Sequence, residues 1–93
     1  MIIGTGVICL RANWVHSLKE KRMIVQSLTT RVKNKFNVSI AEIEDQDLHQ
    51  SIVLGVVCVS NEVRHANEVI QKVMNFIENN TDAIVDEITI EII

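Results

Sequence analysis

Two rhythms of apolar residues run along this chain. Residues 2–12 alternate, with Gly4, Gly6, Ile8, Leu10 and Ala12 on one face and Thr5, Val7, Cys9 and Arg11 on the other. Period two with β-branched residues predicts a strand. Ser17-Leu18-Lys19-Glu20 then has the form of a capping box, in which the serine hydroxyl accepts an early amide and the glutamate reaches back. From there Leu18, Val25, Leu28, Val32 and Phe36 fall on one stripe at helical spacing, predicting a helix to Lys35 that ends near Asn37. Residues 38–44 read as a second strand, 44–50 as a polar hairpin loop, and 51–59 as a strand apolar on both faces, suited to the middle of a sheet. Ser60 and Asn61 are both good N-caps for a second helix, whose stripe is Val63, Ala66, Ile70, Val73 and Ile77. Asn79 to Asp82 break it. Residues 84–92 predict a last strand, with Ile84, Ile88, Ile90 and Ile92 on one side and Val85, Glu87, Thr89 and Glu91 on the other.

The order β-α-β-β-α-β is the split arrangement of ferredoxin-like α+β domains, here one domain over residues 1–93. Right-handed crossovers would put both helices on one face of a four-stranded antiparallel sheet, with the first and third strands central. The other face is left open. If the even-numbered residues of the first strand face the helices, the open side receives Thr5, Val7, Cys9 and Arg11. It also receives one row of the third strand, either Val53, Gly55, Val57 and Val59 or Ile52, Leu54, Val56 and Cys58. Both rows are apolar, and an exposed patch of that kind points to a partner. A second copy of the chain, closing over Val7, Cys9 and Val57, is the expected occupant.

Composition narrows the functional classes. The chain has 93 residues, 47% of them hydrophobic, which excludes a disordered polymer. No apolar run is long enough to span a bilayer, and the N-terminus lacks the basic segment and cleavage site of a signal peptide. A soluble cytoplasmic protein without membrane contact is expected. Net charge is −3, yet residues 17–36 hold six cations, Lys19, Lys21, Arg22, Arg31, Lys33 and Lys35, against Glu20 alone. The remaining three cations face eleven acids. An acidic body with one basic helix does not coat DNA nonspecifically, but it can offer one positive surface.

Chemistry-bearing motifs are few. Cys9 and Cys58 each lie in an apolar strand without a CxxC partner or a histidine at ligand spacing, and read as free thiols packed like small hydrophobes. His49 with Asp45 and Asp47 matches no metal signature and is explained by a polar loop. A phosphate-cradling glycine loop, an HExxH segment and a nucleophile with an evident base are all missing. The expectation is a non-enzymatic protein needing neither cofactor nor metal. RNA-recognition modules of this topology stack bases on aromatics of the central strands. Here the aromatics are Trp14, Phe36 and Phe76, all outside the strands, so nucleic-acid contact would use the basic helix and phosphates.

Three segments carry a family resemblance: Ser17-Leu18-Lys19-Glu20-Lys21-Arg22, Phe36-Asn37-Val38-Ser39-Ile40-Ala41-Glu42, and Val57-Cys58-Val59-Ser60-Asn61 leading into the last helix. Together they resemble the YlxP-like family of small bacterial proteins, domain of unknown function 503, over essentially the whole chain. The resemblance implies a ferredoxin-like fold and brings no established activity. Members are often encoded near genes of translation initiation and ribosome maturation, which is an association and not a mechanism. Members often carry a tryptophan in the segment that reads Asp47-Leu48-His49-Gln50 here.

Within the basic helix Lys21 stands apart, because helical geometry puts it inside the apolar stripe between Leu28 and Val32. Either its stem packs along the stripe while the ammonium escapes at the helix end, or it is a binding lysine near the sheet edge, paired with Glu42 or Glu44. Lys19, Arg22 and Lys33 lie on one flank of the stripe, Arg31 and Lys35 on the other. Cations in the first turns oppose the helix dipole, a placement that favours a bound anion. The expected function is binding of RNA or ribosomal phosphate through Lys19, Lys21, Arg22, Arg31, Lys33 and Lys35. The alternative is a dimeric adaptor that binds a protein partner through its open sheet face, with the helix only a solvated surface.

Overall fold

A computed structural model describes residues 1–93. Its elements are β1 (Ile2–Arg11), α1 (Leu18–Lys35), β2 (Ser39–Glu44), β3 (Ser51–Ser60), α2 (Val63–Asn79) and β4 (Ile84–Ile92). The four strands form one antiparallel sheet in the order β2-β3-β1-β4, the ferredoxin-like arrangement. β1 and β3 are central as the crossover rule requires.

Alternation decides the layers. Gly4, Gly6, Ile8 and Leu10 of β1 are buried beneath the helices, together with Ile52, Leu54, Val56 and Cys58 of β3. Against them α2 lays Ala66, Ile70, Val73, Met74 and Ile77. Gly6 is small for a reason: a Cβ there would lie 2.5 Å from the Met74 methyl and 2.9 Å from Ile70 Cγ2. α2 therefore rests directly on the β1 backbone. α1 buries only Leu28, Val32 and Lys21, and Phe36 just beyond it meets Phe76 edge to face at 5.6 Å. Such a pair adds about 0.5–1.5 kcal/mol beyond its area.

Several local expectations are corrected. In α1 the Ser17 hydroxyl accepts the Glu20 amide at 3.1 Å, but the Glu20 carboxylate makes no return bond, so half the capping box forms. Neither Ser60 nor Asn61 caps α2. Its N-cap is Glu62, while the Ser60 hydroxyl takes the Glu62 amide and meets His65 Nδ1 at 3.0 Å. Val63 is exposed and Met74 takes its place in the stripe. The last strand carries a bulge: Cys9 pairs with Glu87 but Leu10 with Val85, leaving Asp86 extra. The extra residue reverses the alternation below it. Val85 turns toward the helices and Ile84 to the open face.

Candidate nucleic-acid interface

Lys21 leaves the set of surface cations. Its side chain is 0% exposed and its ammonium sits under the β2–β3 loop. There it donates to the carbonyls of Asp45 at 2.6 Å, Leu48 at 2.7 Å and Ser51 at 3.1 Å. Glu42 Oε2 lies 2.7 Å away on the fourth side. Three N–H bonds aimed at three carbonyls leave that oxygen the charge but no well-directed hydrogen, and it has no other hydrogen-bond partner. The loop is thereby held in shape, including Asp45 at φ +57°, the chain's one non-glycine residue in the left-handed region. Of the two sequence readings, pairing with Glu42 is found. Phosphate binding by Lys21 is overturned, because every proton of the ammonium already has an acceptor.

The five other cations of α1 are solvent-facing. Lys19, Arg22, Arg31, Lys33 and Lys35 are exposed, and none of their side chains makes a hydrogen bond or ion pair within the fold. Elsewhere Arg11 pairs with Asp86 at 3.1 Å and Arg64 with Glu68 at 3.2 Å. Lys72 of α2 is exposed and unpaired as well.

The two flanks of α1 face different surroundings. Lys35 borders a shallow concavity between the end of α1 and α2, and Arg31 borders another between α1, Trp14 and the α2–β4 loop; Asn80 lines both. One is lined by Trp14, Met23, Ile24, Ser27, Leu28, Arg31, Asn80, Thr81 and Asp82. The other is lined by Lys35, Phe36, Lys72, Asn75, Phe76, Asn79 and Asn80. The Lys35 ammonium lies 5.0 Å from the centre of the Phe76 ring and 5.9 Å from that of Phe36, within cation–π range. Lys19, Arg22 and Lys33 border neither concavity. Sequence reasoning missed Lys72 and Trp14. Lys72, Asn75 and Asn79 do fall at i, i+3 and i+7 on one face of α2, a legible signal, but nothing in the chain says that this face meets Lys35.

On the open sheet face the register selects Val53, Gly55, Val57 and Val59 from β3, opposite Cys9, Val7, Thr5 and Ile3 of β1. Val57 is 41% and Val59 63% exposed. A bulge in β2, between Glu42 and Glu44, swings Ile43 over Gly55, where it fills the space a side chain would take. Glu87 and Glu91 of β4 stand on the same face. Cys9 is half-buried there and free, and Cys58 is buried and free, its thiol 3.7 Å from the Ala66 carbonyl. Burial pushes the Cys9 thiol above its ordinary range, and the carboxylates of Glu87, Glu44, Asp45 and Asp86 push it the same way. No helix is long and apolar enough to cross a membrane.

Residues 3–90 match the family described as Protein of unknown function (DUF503). The chain is also similar to a protein of Bacillus subtilis (strain 168) described as Uncharacterized protein YlxP, 44% identical over 63 residues, 68% of each chain.

Proposed function

We propose that this chain, which belongs to the DUF503 family of proteins of unknown function, is a non-enzymatic module that binds RNA, such as ribosomal RNA, by its phosphates. The observation that carries the reading is the solvent face of α1, where Lys19, Arg22, Arg31, Lys33 and Lys35 have no carboxylate of the fold within ion-pair distance. Surface charges of a net-acidic protein are ordinarily interspersed; here one helix collects five free cations. Lys19 and Arg22 also stand in the first turns, against the dipole, where a phosphate would relieve the repulsion.

The test is a salt series of co-sedimentation with ribosomal subunits and with purified RNA. Retention at low salt that fades with a log–log slope of about −0.7 per single-strand phosphate neutralised supports the reading. Salt-independent retention, or none, refutes it.

A second reading rests on the open sheet face. Exposed Val57 and Val59 beside half-buried Val7 and Cys9 form an apolar surface that a second copy of the chain would cover. Light scattering decides it: a dimer mass at micromolar concentration supports the reading, a monomer mass counts against it.

A further inference from the structure

We infer that the seam between α1 and α2 is a path for single-stranded RNA, its phosphates on Arg31, Lys35 and Lys72 and a base stacked on Trp14. The inference rests on the RNA reading and sharpens it from a helix face to a groove, with a strand type and with residues outside α1.

Shape is the first argument. Two shallow concavities share Asn80 on their linings, one beside Met23 to Arg31 of α1 and the other beside Lys35, so together they follow α1 for about 18 Å at 1.5 Å per residue. An A-form duplex is a broad convex cylinder and can only lie across a seam between packed helices. A single strand can lie in it.

Charge and chemistry follow the same line. The three bordering cations are exposed and unpaired, and Asp82 is the one carboxylate on the lining. Asn75 and Asn79 are exposed on the lining of one concavity and carry side-chain amides, groups that can pair with base edges whatever the sequence. Asn80 has already given its amide N–H to the Phe76 carbonyl at 2.8 Å, which leaves its side-chain oxygen free to accept. At the far end Trp14 is 46% exposed, a large apolar surface with no cover in the fold. Cations tracking a backbone beside an exposed indole are the two parts that sequence-tolerant single-strand binding needs. The other flank of α1, Lys19, Arg22 and Lys33, has cations but no trough and no aromatic.

Trp14 is the sole tryptophan, so the protein carries its own reporter. Fluorescein-labelled oligouridine of about ten nucleotides would be titrated by anisotropy, with quenching of Trp14 followed in parallel, against an RNA duplex of equal charge. The expected result is saturable binding of the single strand, weaker binding of the duplex, and quenching that tracks occupancy. The salt slope should be about −2, three phosphates at 0.7 each. Lys72→Gln should weaken binding about tenfold and flatten that slope by about 0.7, and Trp14→Leu should weaken it tenfold or more. The triple change Lys19→Gln, Arg22→Gln and Lys33→Gln should weaken it less than Lys72→Gln does, and Arg64→Gln, at an ion pair outside both concavities, should leave it within threefold. If that triple change abolishes binding while Lys72→Gln does not, the groove is refuted and the helix-face reading stands. Binding of duplex as tight as single strand also overturns the groove. If no RNA binds at any salt, both readings fall together.

Discussion

Removing the Lys21 ammonium tests whether one buried cation organises the β2–β3 loop. Lys21→Met keeps most of the stem and its packing against α1's stripe, and deletes the charge. Two losses follow. Glu42, whose side chain is 16% exposed, keeps a carboxylate with a buried oxygen and no counter-ion. Breaking a buried pair from one side costs about 3–5 kcal/mol. The carbonyls of Asp45, Leu48 and Ser51 also lose a charged donor, but they belong to a surface loop and can recover water. The lower end of the range therefore applies, about 3 kcal/mol. For a domain of this size that lowers Tm by roughly 12–24 °C, against a total stability of about 5–15 kcal/mol. Urea unfolding followed by Trp14 fluorescence measures it directly, and hydrogen exchange should show residues 46–50 opening first. The double variant Lys21→Met with Glu42→Leu removes both charges, so it should be more stable than Lys21→Met alone by about 2 kcal/mol. A loss below 1 kcal/mol for Lys21→Met, or strict additivity in the double variant, would refute the clamp.

Three further outcomes follow from the packing and the open face. Gly6→Ala should cost about 1–3 kcal/mol in urea unfolding, since its methyl meets Met74 and Ile70; a neutral or stabilising result would mean that α2 does not sit so close to β1. The Cys9 thiol should react with a maleimide more slowly than a free thiol at neutral pH, and faster in Glu87→Gln, because burial and the nearby carboxylates disfavour the thiolate. The sign for stability is the same: Cys9 contributes below the ordinary thiol range, and that contribution is lost as pH climbs through its raised value. Val57→Asp should reduce any dimer to monomer by light scattering without changing urea stability beyond about 0.5 kcal/mol, an ordinary surface effect.

Much of the architecture was legible because the two periodicities hardly overlap. β1 alternates cleanly from Gly4 to Leu10, and α1 and α2 keep their stripes at Leu28, Val32, Ile70, Val73 and Ile77, so order and layers followed from topology rules. What was not legible has a common physical origin. The bulges at Ile43 and Asp86 insert one residue without a glycine or proline to mark them, and each reverses the facing of its neighbours. Lys21 was visibly on a buried stripe, and Glu42 could be named as a partner because a carboxylate has a sequence identity. The three carbonyls that take its protons have none, since every residue carries one. The seam is a tertiary fact. Trp14, Arg31 and Lys72 are far apart in sequence, and only the fold brings the concavity of Trp14 and Arg31 beside that of Lys72 at Asn80.

The two faces of this domain differ in a way that orders the functional readings. In RNA-binding domains with this topology the sheet is the platform, with aromatics on the central strands. Here the open sheet face has valines at its centre and Glu44, Glu87 and Glu91 around them, so it would repel phosphate and offers no ring for a base. The aromatics and the unpaired cations lie with the helices instead. That division would remove any competition between RNA binding and self-association, because each would use a surface the other leaves alone. A dimer closed through the sheets would hold its two helical seams pointing away from each other. One RNA could then engage both only by looping around the particle, so the gain from bivalency would be set by linker length rather than by any new contact. Short oligonucleotides would bind such a dimer twice independently, and longer RNA would bind more tightly only beyond the length that spans it.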